Sequence, residues 1–352
     1  MIYLKLMKIY HIFPDEYNNI PIYCLKNCNK IEVGLMRMGA CIVFARAPDC
    51  HGTIRNIALS LQNYCDYREG EIYAGATIGP AAGRIRGGLL RLPDGVHILP
   101  KNEGENTLHG GPENLAHTLW NVSRTFCNDH ETGIVFKKHL LDGQNGFPGE
   151  RDISVRYSLS CKNILTIQYT ATTDKVTWLN LTNHTYWNLT GDFSKPAHQQ
   201  ILQINANQVY YNDNSHLPIS CKEVKYSPFD FTSPRSVANA LRSNPTHKQL
   251  RNALGYNNIY VLQNNLKPAV ILTDPVSRRR LTVATDYPNL LFYSGGYLDG
   301  AGCTLDRQKI SASSAYAFEA QYLPDAPNRT GIYAPLLQPG EVYRKAITFH
   351  FN

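Results

Sequence analysis

Residues 152–171 read DISVRYSLSCKNILTIQYTA. Ile153, Val155, Tyr157 and Leu159 alternate with small or polar residues, and so do Leu165, Ile167, Tyr169 and Ala171. A period of two marks a half-buried strand. Two such runs joined across Cys161-Lys162-Asn163 predict an antiparallel hairpin. Strand-like stretches recur at 30–47 (two pieces, with Gly39 at the turn), 200–205, 257–263, 269–273, 280–285, 290–294, 315–321 and 342–350. Helical signals are sparse; 234–242 (PRSVANALR), with Pro234 in a first turn, is the best short candidate. No repeat, linker or shift of composition divides the chain. The expectation is all-β: one large, mostly antiparallel sandwich or barrel over residues 30–352, preceded by an extension at 1–29 without an assigned role.

Composition agrees and excludes several functions. Of 352 residues 43% are hydrophobic, enough for a substantial core, while 25 Gly and 20 Pro supply turns for many short strands. The formal charge of +7 is scattered, and its densest run, Arg278-Arg279-Arg280, reads as a solvated turn. A nucleic-acid partner would need a broad basic patch. Nine widely spread Cys point to free thiols in a reducing cytoplasm. Cys24 and Cys28 lack the further ligands of a zinc site. The opening MIYLKLMKIYHI is broken by Lys5 and Lys8, too short a run for a signal segment or a membrane span. An extra strand or a disordered start is expected there.

One stretch is polar in an unusual way: NLTNHTYWNLTG at 180–191. Taken as extended over 176–189, one face carries Trp178, Asn180, Thr182, His184, Tyr186 and Asn188. The other carries Leu179, Leu181, Asn183, Thr185, Trp187 and Leu189, and looks like core. The first face suits neither bulk solvent nor a dry core. It suits a cleft wall that grips a polyhydroxyl ligand, amides on hydroxyls and aromatics on C–H faces. A lone His is most often a packed His, and that reading of His184 stands beside the functional one.

A second strand, AYAFEAQYLPDAPN at 315–328, sets Tyr316, Phe318, Ala320 and Tyr322 on one face and Glu319 with Ala315, Ala317 and Gln321 on the other. A carboxyl with small neighbours and aromatics behind it can sit on a pocket floor, where desolvation makes it a better base. A surface Glu is the plain alternative. In Leu108-His109-Gly110-Gly111 the glycines allow a close backbone approach that presents an imidazole, although a simple turn explains the motif equally well. His109, His184 and Glu319 could form a two-His, one-carboxylate metal site; acid–base pairing explains them without a metal or cofactor.

These residues together resemble the aldose 1-epimerase (galactose mutarotase) family. The likeness runs from about residue 30 to the end, through NLTNHTYWNLTG, GATIGPAAGRI at 75–85, LHGG, DGQNGFPG at 142–149, SPFDF at 227–231, FEAQYLPDAPN and LQPGEVY at 337–343. The resemblance implies the β-supersandwich of galactose mutarotase-like proteins and interconversion of the α and β anomers of a free aldose, without cofactor or metal. It implies Glu319 as general base at the anomeric hydroxyl and His184 as general acid at the ring oxygen. It makes His109 and Arg84 sugar ligands, with Tyr186 and Asn257 as further substrate contacts. The expected partner is a monosaccharide, bound by a cytoplasmic monomer or homodimer, with no nucleic acid or membrane.

Four positions depart from the family pattern: Pro80 for Arg, Gly83 for Asn, Asn257 for Asp and Leu291 for Gln. The proton-transfer pair is kept while the hydroxyl-reading shell has changed, which implies a divergent member whose sugar need not be galactose or glucose. Competing readings are an epimerase of a phosphorylated hexose gripped by Arg84, Arg86 or Arg91, a sugar-binding or regulatory protein without turnover, and a glycoside hydrolase or lyase. A hydrolase needs two opposed carboxylates, and only Glu319 has a site-like setting.

Overall fold

The hairpin at 152–171 forms, with strands Arg151–Ser160 and Ile164–Thr173 paired antiparallel and Val155 opposite Tyr169. The computed structural model describes residues 7–263 and 268–352. The hairpin lies within a nine-stranded antiparallel sheet. In spatial order its strands are Asn121–Cys127, Glu131–Leu140, Arg151–Ser160, Ile164–Thr173, Tyr343–Phe351, Arg280–Thr285, Val270–Thr273, Ile201–Ile204 and Arg235–Ser236. A six-stranded sheet follows the order Tyr186–Trp187, Tyr316–Gln321, Asn289–Tyr293, Asn257–Leu262, Ala206–Asn212 and Pro218–Glu223. A five-stranded meander runs Lys8–Ile12, Ile22–Lys26, Glu32–Met36, Cys41–Pro48 and Ile54–Asn56.

One buried cluster draws on all three sheets: Tyr157, Ile167 and Phe349 from the nine-stranded sheet, Phe292 and Phe318 from the six-stranded one, and Val33 and Ile42 from the meander. Sheets with one apolar face bury it against one another, which is the sandwich solution. Trp187, at the edge of the six-stranded sheet, packs on Phe349 and Phe351 at ring-centroid distances of 4.9 and 5.8 Å. Tyr157 donates its hydroxyl to the Ala40 carbonyl at 2.6 Å, tying the large sheet to the meander.

The expected strands at 200–205, 257–263, 269–273, 280–285, 290–294, 315–321 and 342–350 all form, and Gly39 turns the chain between Glu32–Met36 and Cys41–Pro48. Strands Asn121–Cys127, Glu131–Leu140, Ala206–Asn212 and Pro218–Glu223 add to them. The helix placed at 234–242 is shorter. Arg235–Ser236 is a strand, and the helix spans Val237–Arg242, capped by Ser236 Oγ accepting from the Asn239 N–H at 3.1 Å. A Ser cap satisfies a free first-turn donor, which Pro234 could not do. Two further short helices, Tyr64–Glu69 and Lys248–Asn252, were not expected.

Of the stretch before residue 30, residues 1–6 lie outside the described residues; Lys8–Ile12 and Ile22–Lys26 are the first two strands of the meander. No helix among the described residues is long and apolar enough to cross a membrane.

The reading of 176–189 as a single strand needs correction. The segment breaks into Thr177–Trp178, Thr182–Asn183 and Tyr186–Trp187, which pair with Leu336–Leu337, Thr77–Ile78 and Tyr316–Ala317 respectively. Three different partners turn the chain between pieces, so the alternation is not continuous across them.

Candidate active site

The six-stranded sheet covers the core with one face and forms the floor of a cleft with the other. In Tyr316–Gln321, the side chains of Tyr316, Phe318 and Ala320 enter the core, while Glu319 and Gln321 line the cleft. In Asn289–Tyr293, Leu290 and Phe292 enter the core, while Leu291 and Tyr293 line the cleft. The register sets Leu291 directly opposite Glu319. Asn257 joins from the next strand, and Tyr186 from the edge strand, whose Trp187 points the other way. This is pleat geometry. The cleft holds about 410 Å³; Arg84, from a two-residue strand paired with Thr107–Leu108, and loops carrying Tyr73, Glu103, His109, His184, His216 and Tyr297 add to its walls.

His184 is fixed through its backbone: its N–H donates to the Ala76 carbonyl at 2.9 Å, and its carbonyl accepts from Gly75 at 3.0 Å. Its Nε2 lies 3.3 Å from Glu319 Oε1. Both side chains are buried, and neither His184 Nδ1 nor Glu319 Oε2 has a hydrogen-bond partner among the described residues. Burial, opposed in part by Arg84, pushes the Glu319 carboxyl up to about 8, and burial pushes the His184 imidazole down to about 4. Desolvation disfavours charge on each. A carboxylate–imidazolium ion pair and a neutral acid–imidazole hydrogen bond contain the same single proton, so the pair holds one proton at neutral pH in either form.

His109 is held in a left-handed conformation, φ +54°, which is uncommon for a residue with a side chain. Its N–H donates to the Gly83 carbonyl at 2.9 Å, and its Nδ1 accepts from the Gly83 N–H at 3.2 Å. That bond puts the imidazole proton on Nε2. Burial, with His184 and Arg84 nearby, holds His109 well below the usual histidine range. Its ring meets His184 edge-on at 5.6 Å and Tyr73 at 4.9 Å, and Tyr186 lies 4.8 Å from His184. Gly110, φ +91°, lies so close to Pro80 that a Cβ would come within 2.4 Å of its Cδ. The His-Gly-Gly motif is thus a close-packed mount for an imidazole, as well as a turn.

The expected residues His109, His184, Glu319, Arg84, Tyr186 and Asn257 all line this one cleft. Arg84 arrives with a partner: its guanidinium makes two 2.6 Å bonds to the Glu103 carboxylate. Of the four departures, Gly83, Asn257 and Leu291 line the cleft; Pro80 packs behind it. Asn180, Thr182 and Asn188 are not cleft wall. The Asn180 amide donates to the Ala82 and Tyr322 carbonyls, and the Asn188 amide to those of Asp192 and Ser314. Buried amides are bonded, and here they staple loops to the sheet. The cleft residues that the sequence did not single out include Tyr73, Glu103, His216, Tyr293, Tyr297 and Gln321. For Gln321 and Tyr293 a signal existed, since they share strand faces with Glu319 and Leu291; the others reach the cleft through loops.

Ligand atoms of His109, His184 and Glu319 lie within 4.8 Å of one another, so the donor set that could hold a divalent cation is the same set that could move protons.

An antiparallel β-sandwich with a buried carboxyl–imidazole pair at the floor of its cleft defines a class: an all-β protein with two ionisable groups in contact in one pocket. The aldose 1-epimerase family model matches residues 21–350. The aldose 1-epimerase of Escherichia coli K12 is 31% identical over 333 residues, 93% of this chain and 94% of that one. The aldose 1-epimerase of Haemophilus influenzae is 33% identical, covering 86% of this chain and 87% of its own. The crystal structure of galactose 1-epimerase from Lactobacillus acidophilus superposes with a TM-score of 0.85 at 28% identity, over 99% of both chains. This chain belongs to the aldose 1-epimerase family and has its galactose mutarotase-like β-supersandwich fold.

Proposed function

We propose that this chain interconverts the α and β anomers of a free aldose, with Glu319 and His184 moving the protons. The observation that carries the reading is this pair, 3.3 Å apart on the floor of the cleft, in a chain of this family. Ring opening removes one proton from the anomeric hydroxyl and delivers one to the ring oxygen. Both oxygens are bonded to the same carbon, so an acid and a base in van der Waals contact suit them. Glu319 takes the hydroxyl proton as the carbonyl forms and the bond from C1 to the ring oxygen breaks. His184 donates to that oxygen. The open aldehyde turns about C1–C2, and closure from the other face runs the two transfers backwards.

The remaining roles follow from donor geometry. With Nδ1 occupied by Gly83, His109 offers its Nε2–H to a sugar oxygen. Tyr186 covers a C–H face, and Asn257 and the outer edge of Arg84 reach hydroxyls. A neutral sugar fits better than a phosphorylated one. The guanidinium in the cleft is already neutralised by Glu103, Arg86 is paired with Asp213 at 2.9 Å, and Arg91 does not line the cleft. Nine cysteines without a disulfide support a cytoplasmic setting. We read residues 30–352 as one domain, with the two preceding strands added to its meander, working as a monomer or homodimer.

The test is polarimetry with freshly dissolved α-aldoses. Wild type speeds equilibration, and exhaustive chelation leaves the rate unchanged. Glu319→Gln and His184→Ala each lower kcat by about 10²–10⁴-fold while the fold is retained. Full activity in either variant overturns the mechanism. Sugar binding without turnover of any aldose identifies a binding protein on the same fold. A rate lost on chelation and restored by a divalent cation assigns the two histidines and the carboxyl to a metal.

A further inference from the structure

Gln321 is fully buried and lines the cleft floor two residues beyond Glu319 on the same strand face. Neither its Nε2 nor its Oε1 has a hydrogen-bond partner among the described residues. Three other buried amides near the cleft, Asn180, Asn183 and Asn188, each donate to backbone carbonyls. An unpaired buried amide is a cost that a native protein rarely accepts without a use. The same floor carries two other unpaired polar atoms, Glu319 Oε2 and His184 Nδ1, and these belong to the proton-transfer pair.

The neighbour that could have satisfied Gln321 is missing its side chain. Gly83 has φ +73°, and a Cβ built on it would lie 3.8 Å from Gln321 Oε1. The same Cβ would lie 2.5 Å from Pro324 Cγ, so no side chain fits there without moving Pro324. Gly83 therefore places no side chain against the amide, while its own N–H serves His109. Across the strand pair Asn289 stands opposite Gln321 and makes no bond to its amide, and Leu291, two residues along and opposite Glu319, offers none.

We propose that Gln321 is a substrate-binding, specificity-determining residue whose amide accepts from one sugar hydroxyl and donates to its neighbour, close to the reacting carbon. The proposal rests on the sugar-epimerase reading of the cleft and deepens it. An amide with one donor edge and one acceptor atom free reads a vicinal diol, so the preferred aldose keeps both hydroxyls next to the anomeric centre. A sugar that lacks one leaves half of the amide buried and unpaired in the complex, and a site built to bond a hydroxyl rejects the analogue without it.

The experiment is a cycle of enzyme and substrate variants. Wild type and Gln321→Leu, close in size, are assayed by NMR anomer exchange on the best aldose of the panel and on its 2-deoxy and 3-deoxy analogues. Wild type should lose at least 10-fold in kcat/KM on one deoxy analogue. Gln321→Leu should lose a similar factor on the parent sugar, chiefly in KM, and treat parent and analogue alike within about threefold. Its melting temperature without sugar should equal or exceed that of wild type, because an unpaired polar group has been removed. Gln321→Glu, which keeps acceptors but drops the donor, should fall between. A variant that melts lower and loses activity evenly on every sugar overturns the proposal in favour of a structural glutamine. If wild type turns over no aldose, the epimerase reading fails by itself, and titration calorimetry with the same sugars still decides whether Gln321 contacts them: equal affinities for wild type and Gln321→Leu overturn the proposal.

Discussion

Glu319 and His184 are two ionisable side chains that burial pushes in opposite directions, one to about 8 and the other to about 4. In the proposed mechanism the working state is the pair with one proton, so kcat/KM should be flat across neutral pH. It should fall below the lower value, where the pair takes a second proton, and above the higher one, where it loses its only proton. Both limbs belong to the pair. A pH–rate series that falls steeply between 5 and 7 contradicts this. The same burial has a sign in stability. Glu319 ionises near 4.5 when unfolded and near 8 when folded, so its contribution is intact below about pH 4.5 and is lost as pH rises towards 8. His184 works oppositely: the unfolded chain binds more protons between about 4 and 6.5, so that contribution is restored as pH rises through this window. Glu319→Gln removes the first dependence. Its stability gain over wild type should widen from pH 5 to pH 8, by on the order of a few kcal/mol, in urea melts at both pH values. A gain that shrinks with pH sinks the account.

At the scale of the element, the strand Tyr316–Gln321 holds the core with alternate residues and serves the cleft with the others. Phe318 stacks on Phe292 of the neighbouring strand, with centroids 5.6 Å apart and planes 18° from parallel. Phe318→Ala should cost about 3–5 kcal/mol of stability. Because Glu319 follows it in the chain, kcat measured well below the melting temperature should fall as well, with Phe318→Leu intermediate in both. Destabilisation of that size with kcat unchanged would show that the carboxyl is positioned independently of the core. This alternation is also why the strand and its cleft-facing side are legible in the sequence. The 180–191 stretch was read less well, since its pieces pair with three different partners and the faces do not run through. His184 and Tyr186 from that stretch line the cleft, polar and aromatic groups where neither core nor solvent explains them. Asn180 and Asn188 were misread because an amide that staples two loops and an amide that grips a hydroxyl look the same until the carbonyls facing them are known.

For the whole molecule, the antiparallel sandwich was legible because strand periodicity is local. The order of strands, the helix start at Val237 and the far wall of the cleft depend on contacts between distant segments. Glu103, His216 and Tyr297 carry no periodic signal and reach the cleft only because three loops converge on one face of a sheet. The bidentate Arg84–Glu103 contact has a consequence for how substrate arrives. The chain has a formal charge of +7, yet the guanidinium that lines the cleft is already matched by a carboxylate. A neutral sugar approaching a cleft whose guanidinium is paired feels no long-range pull, so capture proceeds by unassisted diffusion and is blind to the surrounding ions. Between 10 mM and 500 mM sodium chloride kcat/KM should change by less than about twofold. A steep decline with salt, read in the same anomer-exchange assay, would mean that a charged substrate is being drawn in. The enzyme so described would work at the same pace whatever ionic strength surrounds it, with encounter frequency set by sugar concentration alone.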